Sequence, residues 1–128
     1  MTMPRHRMDE RGAAAVEFAI VLPVLLLILV GVIDWGRYFF LEHVVVNCAR
    51  EAARAGSVAT PDILQARSLA VLDTCLQAGA LDSALATTAT VETTADSVIV
   101  TLGYPAGSLT GLGIPVPKVA AARAEMRR

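Results

Sequence analysis

A long run of apolar residues dominates the first third of the sequence. From Phe18 to Ile33 no residue is charged, and Glu17 alone interrupts the extension of the run back to Ala13. At about 1.5 Å of helical rise per residue, the segment 13–33 reaches about 30 Å, the thickness of the hydrocarbon core of a bilayer. A cleaved secretory signal is the competing interpretation, but its apolar region is shorter and ends at a small-x-small site, whereas Asp34 and Trp35 follow here. The pattern therefore predicts a transmembrane helix over residues 13–33.

The helical pattern continues beyond the apolar run and then starts again after a break. One helix is predicted from Ala13 to about Ala55, with Gly56 as its terminator. Thr60 and Pro61 predict the N-cap and first turn of a second, amphipathic helix that ends near Gly79. The predicted apolar stripe of the first helix is Tyr38, Leu41, Val45, Cys48, Ala52 and Ala55. The predicted apolar arc of the second is Leu64, Leu69, Val71, Leu72, Cys75 and Leu76.

The composition changes towards Thr and Val between Ala86 and Tyr104, where apolar and other residues alternate as in strands. The Ala95-Asp96 step predicts a hairpin turn, and the Gly- and Pro-rich segment 105–117 predicts a loop. The Ala-rich tail 118–128 is compatible with a helix or with a last strand. A strand is favoured, because a two-stranded hairpin alone is only marginally stable. The predicted fold class is α+β: a long N-terminal transmembrane helix, a second amphipathic helix and a small antiparallel sheet of two or three strands.

Composition and charge exclude several classes of function. Hydrophobic residues make up 55% of the chain, which is high for a soluble domain, and the net charge of -1 provides no basic surface for nucleic acid. The sequence has no Ser/His/Asp or Cys/His set and no glycine-rich phosphate loop. We therefore expect no enzymatic activity, no cofactor, no metal site and no nucleic-acid partner.

The two cysteines, Cys48 and Cys75, form neither a CxxC motif nor a cluster with histidines at metal-ligand spacing. In an oxidising compartment they are candidates for one disulfide. In a simple antiparallel helix pair that turns near Val58, however, the two residues are offset by about 10 Å along the helix axes. This offset exceeds the reach of a disulfide, so the sequence leaves open whether the bond forms.

Glu17 is the informative anomaly of the apolar run. A carboxylate near the start of a membrane-spanning helix is costly unless it is paired, protonated or close to the headgroups. One interpretation is an interfacial residue that lies among the headgroups and is stabilised by the dipole at the N-terminus of the helix. Upstream of it, Arg5, Arg7 and Arg11 outnumber Asp9 and Glu10, which favours an N-terminus that stays in the cytoplasm.

The spacing of Gly12 and Glu17 has a further interpretation. The run Gly12 to Phe18 resembles the class III signal peptide of type IV pilins, in which a prepilin peptidase cuts after a glycine and glutamate is the fifth mature residue. Three further features restrict the resemblance to one group of pilin-like proteins. They are the apolar helix with Pro23, the Asp-Trp-Gly-Arg sequence from Asp34 and the Ala-Arg-Glu-Ala-Ala-Arg sequence from Ala49. Over about the first 56 residues, the chain resembles the TadE-like pseudopilins of the Tad (tight adherence) type IVb pilus.

This resemblance implies a pilin-like architecture and a processing event. Residues 1–12 would be a prepilin-type leader, residues 13–33 the transmembrane helix and residues 34–128 a periplasmic domain. Prepilin peptidase would cut between Gly12 and Ala13, and Glu17 and Phe18 would serve assembly. The implied partners are the peptidase, other pilin or pseudopilin subunits, the Tad inner-membrane platform and the lipid bilayer.

Two functional hypotheses follow. The first is a minor pilin-like subunit that takes part in the assembly of a Tad-type pilus for adhesion and surface attachment. The second is an uncleaved signal-anchor protein whose small periplasmic domain binds a partner. Gly12 together with Glu17 discriminates between them, because an unprocessed anchor needs neither residue at that spacing, whereas peptidase recognition requires the glycine at the scissile bond.

Overall fold

A computed structural model describes residues 6–112 and 115–128, with side chains from Gly12 onwards. The helices are α1 (His6–Ser57) and α2 (Leu64–Ala78), and a 3₁₀ turn follows at Ser83–Leu85. The strands are β1 (Thr88–Thr93), β2 (Ser97–Pro105) and β3 (Val119–Arg127). The predicted α+β class, with a long apolar helix, a second helix and an antiparallel sheet, is confirmed.

The chain divides into two units, Met1–Ile33 and Asp34–Arg128. In the described part of the first unit, the chain is helical and its apolar side chains from Val16 to Ile33 are largely exposed. This helix is long and apolar enough to cross a membrane. The helix already begins at His6, ahead of the predicted start at Ala13, because the intervening sequence consists mostly of good helix formers. Pro23 lies inside the helix, as membrane helices tolerate.

The second unit contains an antiparallel sheet with the strand order β1-β2-β3 over the described residues. β2 is the central strand, and its alternating residues Val98, Val100, Leu102 and Tyr104 are buried, as the pattern predicts. The turn between β1 and β2 includes Ala95 and Asp96, also as predicted. The C-terminal tail, for which the sequence is compatible with a helix or a strand, forms the strand β3. It pairs with β2 in an antiparallel register that runs from Val119 opposite Pro105 to Arg127 opposite Ser97.

Two helical faces complete the core of the second unit. On α1, Leu41, Val45, Cys48 and Ala52 of the predicted stripe are buried, while Tyr38 and Ala55 are half-buried. On α2, the buried positions are Leu64, Ser68, Leu72 and Leu76. The prediction that Leu69 lies on the buried arc is wrong, because it is 40% exposed. The buried face is a narrower row at four-residue spacing that includes a serine.

Gly56 does not end α1 as predicted, because the helix continues through it to Ser57. Its role is close packing within the second unit. A Cβ atom at this position would collide with the hydroxyl oxygen of Ser68 and would lie 3.1 Å from Cγ1 of Val98. The absence of a side chain therefore lets α1 approach both α2 and β2.

The predicted start of α2 at Thr60 is wrong. Residues 60–63 form a turn in which the Ile63 N–H donates to the Thr60 carbonyl oxygen at 3.2 Å, and the helix begins at Leu64. Ile63 occupies the N-cap position without a side-chain capping bond. The predicted end of α2 near Gly79 is confirmed, since the Gly79 N–H caps the helix by donating to the Cys75 carbonyl oxygen at 3.0 Å.

Candidate functional site

The residues that the sequence assigns to processing and assembly all lie on α1 within the first unit. Gly12, Ala13, Glu17 and Phe18 are exposed there. Five residues of α-helix rotate the chain by about 140° beyond a full turn, so Gly12 and Glu17 lie on different faces of the helix. Because the two residues lie on different faces, a contact between them does not explain why they are five positions apart.

The described part of the chain gives no structural reason for a glycine at position 12. A Cβ atom at this position would meet no atom of the described structure within 4 Å. Glycine inside a helix is less favourable than alanine by about 1 kcal/mol. The same open space surrounds Gly31 and Gly36, which makes them suitable comparison positions on the same helix.

Glu17 lies on an apolar surface. Its neighbours Val16, Phe18 and Ile20 are each more than 60% exposed. Among the side chains that the structure describes, which begin at Gly12, none forms a hydrogen bond or an ion pair with Glu17. If this surface is placed in a lipid or protein environment, the group that compensates the carboxylate must come from another molecule.

The structure contains the Cys48–Cys75 disulfide that the sequence left open, with the two Cα atoms 5.5 Å apart. The offset expected for a simple helix pair assumed that α2 starts close to the turn. Instead, residues 58–63 form a non-helical connection. About 13 Å of helix separates Cys48 from the end of α1 and about 16 Å separates the start of α2 from Cys75, so the two residues lie nearly level.

Removal of this disulfide should strongly destabilise the second unit. The bond joins residues 27 positions apart, and chain-entropy arguments give about 3.5 kcal/mol for a loop of that length. We expect the double variant Cys48→Ala/Cys75→Ala to lose about this much free energy of unfolding in detergent, measured by chemical denaturation. Alkylation of unreduced protein should label neither cysteine, and two labelled thiols per folded chain would contradict the bond.

A polar cluster that the sequence interpretation missed surrounds Asp34, the first residue of the second unit. Asp34 is only 2% exposed, although it lies next to exposed aromatic residues on α1. Its carboxylate accepts hydrogen bonds from the hydroxyl groups of Ser108 at 2.6 Å and Thr110 at 2.8 Å. The backbone N–H groups of Leu109 and Thr110 donate to its other oxygen at 3.1 and 3.3 Å. We call Asp34 and residues 107–112 the Asp34 clamp.

Arg37 adds a further connection to the same loop, since its guanidinium group donates to the Gly107 carbonyl oxygen at 3.0 Å. Both side chains belong to the Asp-Trp-Gly-Arg sequence that follows the apolar run. A signal for the clamp exists in the sequence, because Ser108 and Thr110 provide hydroxyl donors within a glycine-punctuated turn. Nothing local indicates that this turn pairs with a residue 74 positions earlier.

The clamp makes stability depend on the protonation of Asp34. The Ser108 hydroxyl group lowers the pKa of Asp34 below its ordinary value, burial opposes this shift, and the bonds from Thr110 and from the Leu109 N–H add to the lowering. A carboxyl group whose pKa is lower in the folded state stabilises the fold above its unfolded pKa of about 4. That contribution disappears as the pH falls below about 4 and through the lower folded value.

We therefore expect Asp34→Asn to be less stable than the wild type at pH 7. The difference in free energy of unfolding should shrink as the pH falls below about 4. Denaturation of both proteins across this pH range measures the difference and cancels the titration of the other carboxyl groups. A difference that stays constant down to pH values well below 4 would contradict a stabilising charge on Asp34.

No group of three or more His, Cys, Asp or Glu side chains suitable for a metal ion occurs among the residues that the structure describes. The two cysteines are joined to each other, so neither provides a free thiol. The candidate functional features of the described structure are thus the exposed Gly12–Glu17 segment, the disulfide and the Asp34 clamp.

Comparison with known protein families finds a match for about a third of the chain. Residues 12–54 match a protein-family model described as TadE-like protein. The chain has no significant match among curated proteins or among solved structures. The matched segment starts at Gly12 and includes Glu17, Asp34 and Cys48. The resemblance of this chain to TadE-like proteins is thus confirmed over residues 12–54.

Proposed function

We propose that the chain is a minor pilin-like (pseudopilin) subunit that takes part in the assembly of a Tad-type pilus for adhesion. The proposal rests above all on Gly12, which lies five residues before Glu17 at the head of an exposed apolar helix. No neighbour in the described part of the chain requires a glycine there. A peptidase that must reach the backbone between Gly12 and Ala13 supplies the missing reason, because a side chain would hinder access.

In this function, residues 13–33 span the bacterial inner membrane, the N-terminus lies in the cytoplasm and residues 34–128 lie in the periplasm. The apolar helix supports the membrane assignment, and the arginines before it support the orientation. The disulfide supports the location of the second unit, since such bonds persist in the oxidising periplasm. The domain acts as a structural component and carries out no catalysis.

Cleavage would create the cation that Glu17 lacks. The new α-amino group of Ala13 has an ordinary pKa close to 8 and is largely protonated at neutral pH. A neighbouring subunit displaced by about 6 Å along the helix axis would bring its Ala13 amino group level with Glu17. Ala13, Ala14 and Ala15 leave room for such an approach, because small residues let helices pack closely.

The N-terminus of the mature protein tests the proposal directly. In cells with an active prepilin peptidase, mass spectrometry of the membrane-extracted protein should find Ala13 as the first residue. Deletion of the gene should abolish Tad pili, and expression of the wild-type chain should restore them. A mature chain that begins at Met1 or Thr2, together with normal pili after deletion, would instead favour the uncleaved signal-anchor protein.

A further inference from the structure

The loop of the Asp34 clamp exposes large apolar side chains, which is unusual for a loop in water. Leu109 is 64% exposed and Leu112 is 67% exposed. The surrounding segment from Pro105 to Pro117 contains no charged residue over 13 positions. Loops in water normally carry polar and charged residues, so this composition indicates a surface adapted to something other than water.

The clamp fixes where this loop lies. Two hydroxyl groups and two N–H groups of residues 108–110 bind the carboxylate of Asp34 directly. Asp34 is covalently attached to Ile33, the last residue of the proposed membrane-spanning segment. The loop is therefore held within one side-chain length of the residue at which the chain leaves the hydrocarbon core.

Aromatic residues on α1 lie close to Asp34, the residue to which the loop is bound. Trp35, Phe39 and Phe40 are 38%, 50% and 55% exposed, and the Trp35 and Phe39 rings are 5.7 Å apart. They lie within about 11 Å of Ile33 along the helix, against a headgroup region of about 5–8 Å per leaflet. Helical side chains point back towards the N-terminus, which brings the rings closer to the lipid. Trp and Tyr are enriched at this depth in membrane proteins.

We propose that residues 107–112 form a membrane-surface anchor, in which the Asp34 clamp holds Leu109 and Leu112 among the headgroups and upper acyl chains of the periplasmic leaflet. The clamp serves two purposes there. It satisfies a carboxylate that would otherwise face the poorly hydrated edge of the bilayer, and it holds the loop that carries the leucines against Asp34. This inference rests on the membrane-spanning helix of the proposed function.

The experiment uses the full chain in vesicles of phosphatidylethanolamine and phosphatidylglycerol that contain doxyl-labelled phosphatidylcholine. Leu109→Cys or Leu112→Cys adds one free thiol for the fluorophore NBD, because Cys48 and Cys75 are bonded to each other. We expect blue-shifted NBD emission that is quenched more by shallow than by deep doxyl groups. The quenching should be several-fold stronger than for Val58→Cys.

Val58→Cys is the matched control. Val58 is also an exposed apolar residue, at 73%, but it follows the end of α1, about 35 Å of helix beyond Asp34. Adding Asp34→Asn to Leu109→Cys should reduce the quenching, since it weakens the clamp that positions the loop. Undiminished quenching in that variant would overturn the positioning role of Asp34.

Trp35, the single tryptophan of the chain, reports on the helix independently in unlabelled protein. If shallow doxyl groups quench Trp35 while NBD at both loop positions behaves as in water, the anchor is wrong and the membrane-spanning helix stands. Blue-shifted NBD emission without lipid quenching would also overturn the anchor, because the loop would then pack against a second copy. If neither Trp35 nor the label is quenched, the membrane insertion in the proposed function fails, and the anchor fails with it.

Discussion

Gly12→Val should leave the full-length chain uncleaved in the membrane. If prepilin peptidase cuts after this residue, as proposed, a β-branched side chain there blocks the approach of the peptidase to the backbone. The described helix itself has open space for the substitution. We expect the processed form to fall below detection. Mass spectrometry of the membrane fraction should find the chain starting at Met1 or Thr2 instead of Ala13.

Gly31→Val is the matched control, because it makes the same substitution on the same helix at another glycine that has no described atom within 4 Å of an added Cβ. This variant should be processed like the wild type. If Gly12→Val were also processed normally, Gly12 would have no role in cleavage and the prepilin interpretation would lose its main support. If both variants stayed uncleaved, the effect would be a general one on the helix.

Glu17→Gln should be cleaved normally but should fail to support piliation. The substitution keeps the shape of the side chain and removes the charge that the Ala13 amino group of a neighbouring subunit would answer. Loss of one partner from an ion pair in a poorly solvated environment costs about 3–5 kcal/mol, because the other charge remains uncompensated. Electron microscopy of cells that express the variant in place of the wild type measures the number of pili.

Glu92→Gln provides the comparison, since Glu92 is an exposed carboxylate on β1 in the second unit. It makes the same chemical change and should leave both cleavage and pili intact. Normal pili with Glu17→Gln would mean that the carboxylate is only an interfacial residue of the helix. Failure of cleavage in that variant would place Glu17 in peptidase recognition and leave assembly untested by it, so the mature N-terminus must be measured in the same cells.

The elements with strong periodicity could be predicted from the sequence. The stripe from Leu41 to Ala52 and the alternation from Val98 to Tyr104 each repeat at the period of the structure that they form. The tail was ambiguous because alanine favours helices, and its pairing with β2 decides in favour of a strand. Tertiary contacts thus override local propensity in β3.

The misplaced start of α2 has a local cause and a non-local one. Thr60 and Pro61 are good signals for a helix start, but they form a turn that connects the two helices. The non-helical connection brings Cys75 level with Cys48, a constraint that local sequence does not express. The burial of Ser68 also depends on a non-local contact, because its hydroxyl group packs against Gly56 of α1.

The candidate functional residues also divide into those that a local motif reveals and those that depend on contacts between distant parts of the chain. Gly12 and Glu17 are recognisable because their spacing is a local motif. The Asp34 clamp was not, because its donors are 74 to 76 residues away in a loop with no regular secondary structure. A buried acid after an apolar run indicates that a partner is needed, but the sequence does not identify the partner.

The separation of the clamp partners also has a consequence for the order of synthesis. The ribosome makes Asp34 long before Ser108 and Thr110, so the growing chain carries this carboxylate without its hydrogen-bond donors until the loop after β2 has been made. The disulfide pair, by contrast, is complete once Cys75 has been made. A chain that is truncated after β2 could therefore join its two helices by the disulfide and still leave Asp34 uncovered. The loop that contains Ser108 and Thr110 is made late, and it completes the environment of Asp34, the first residue of the second unit.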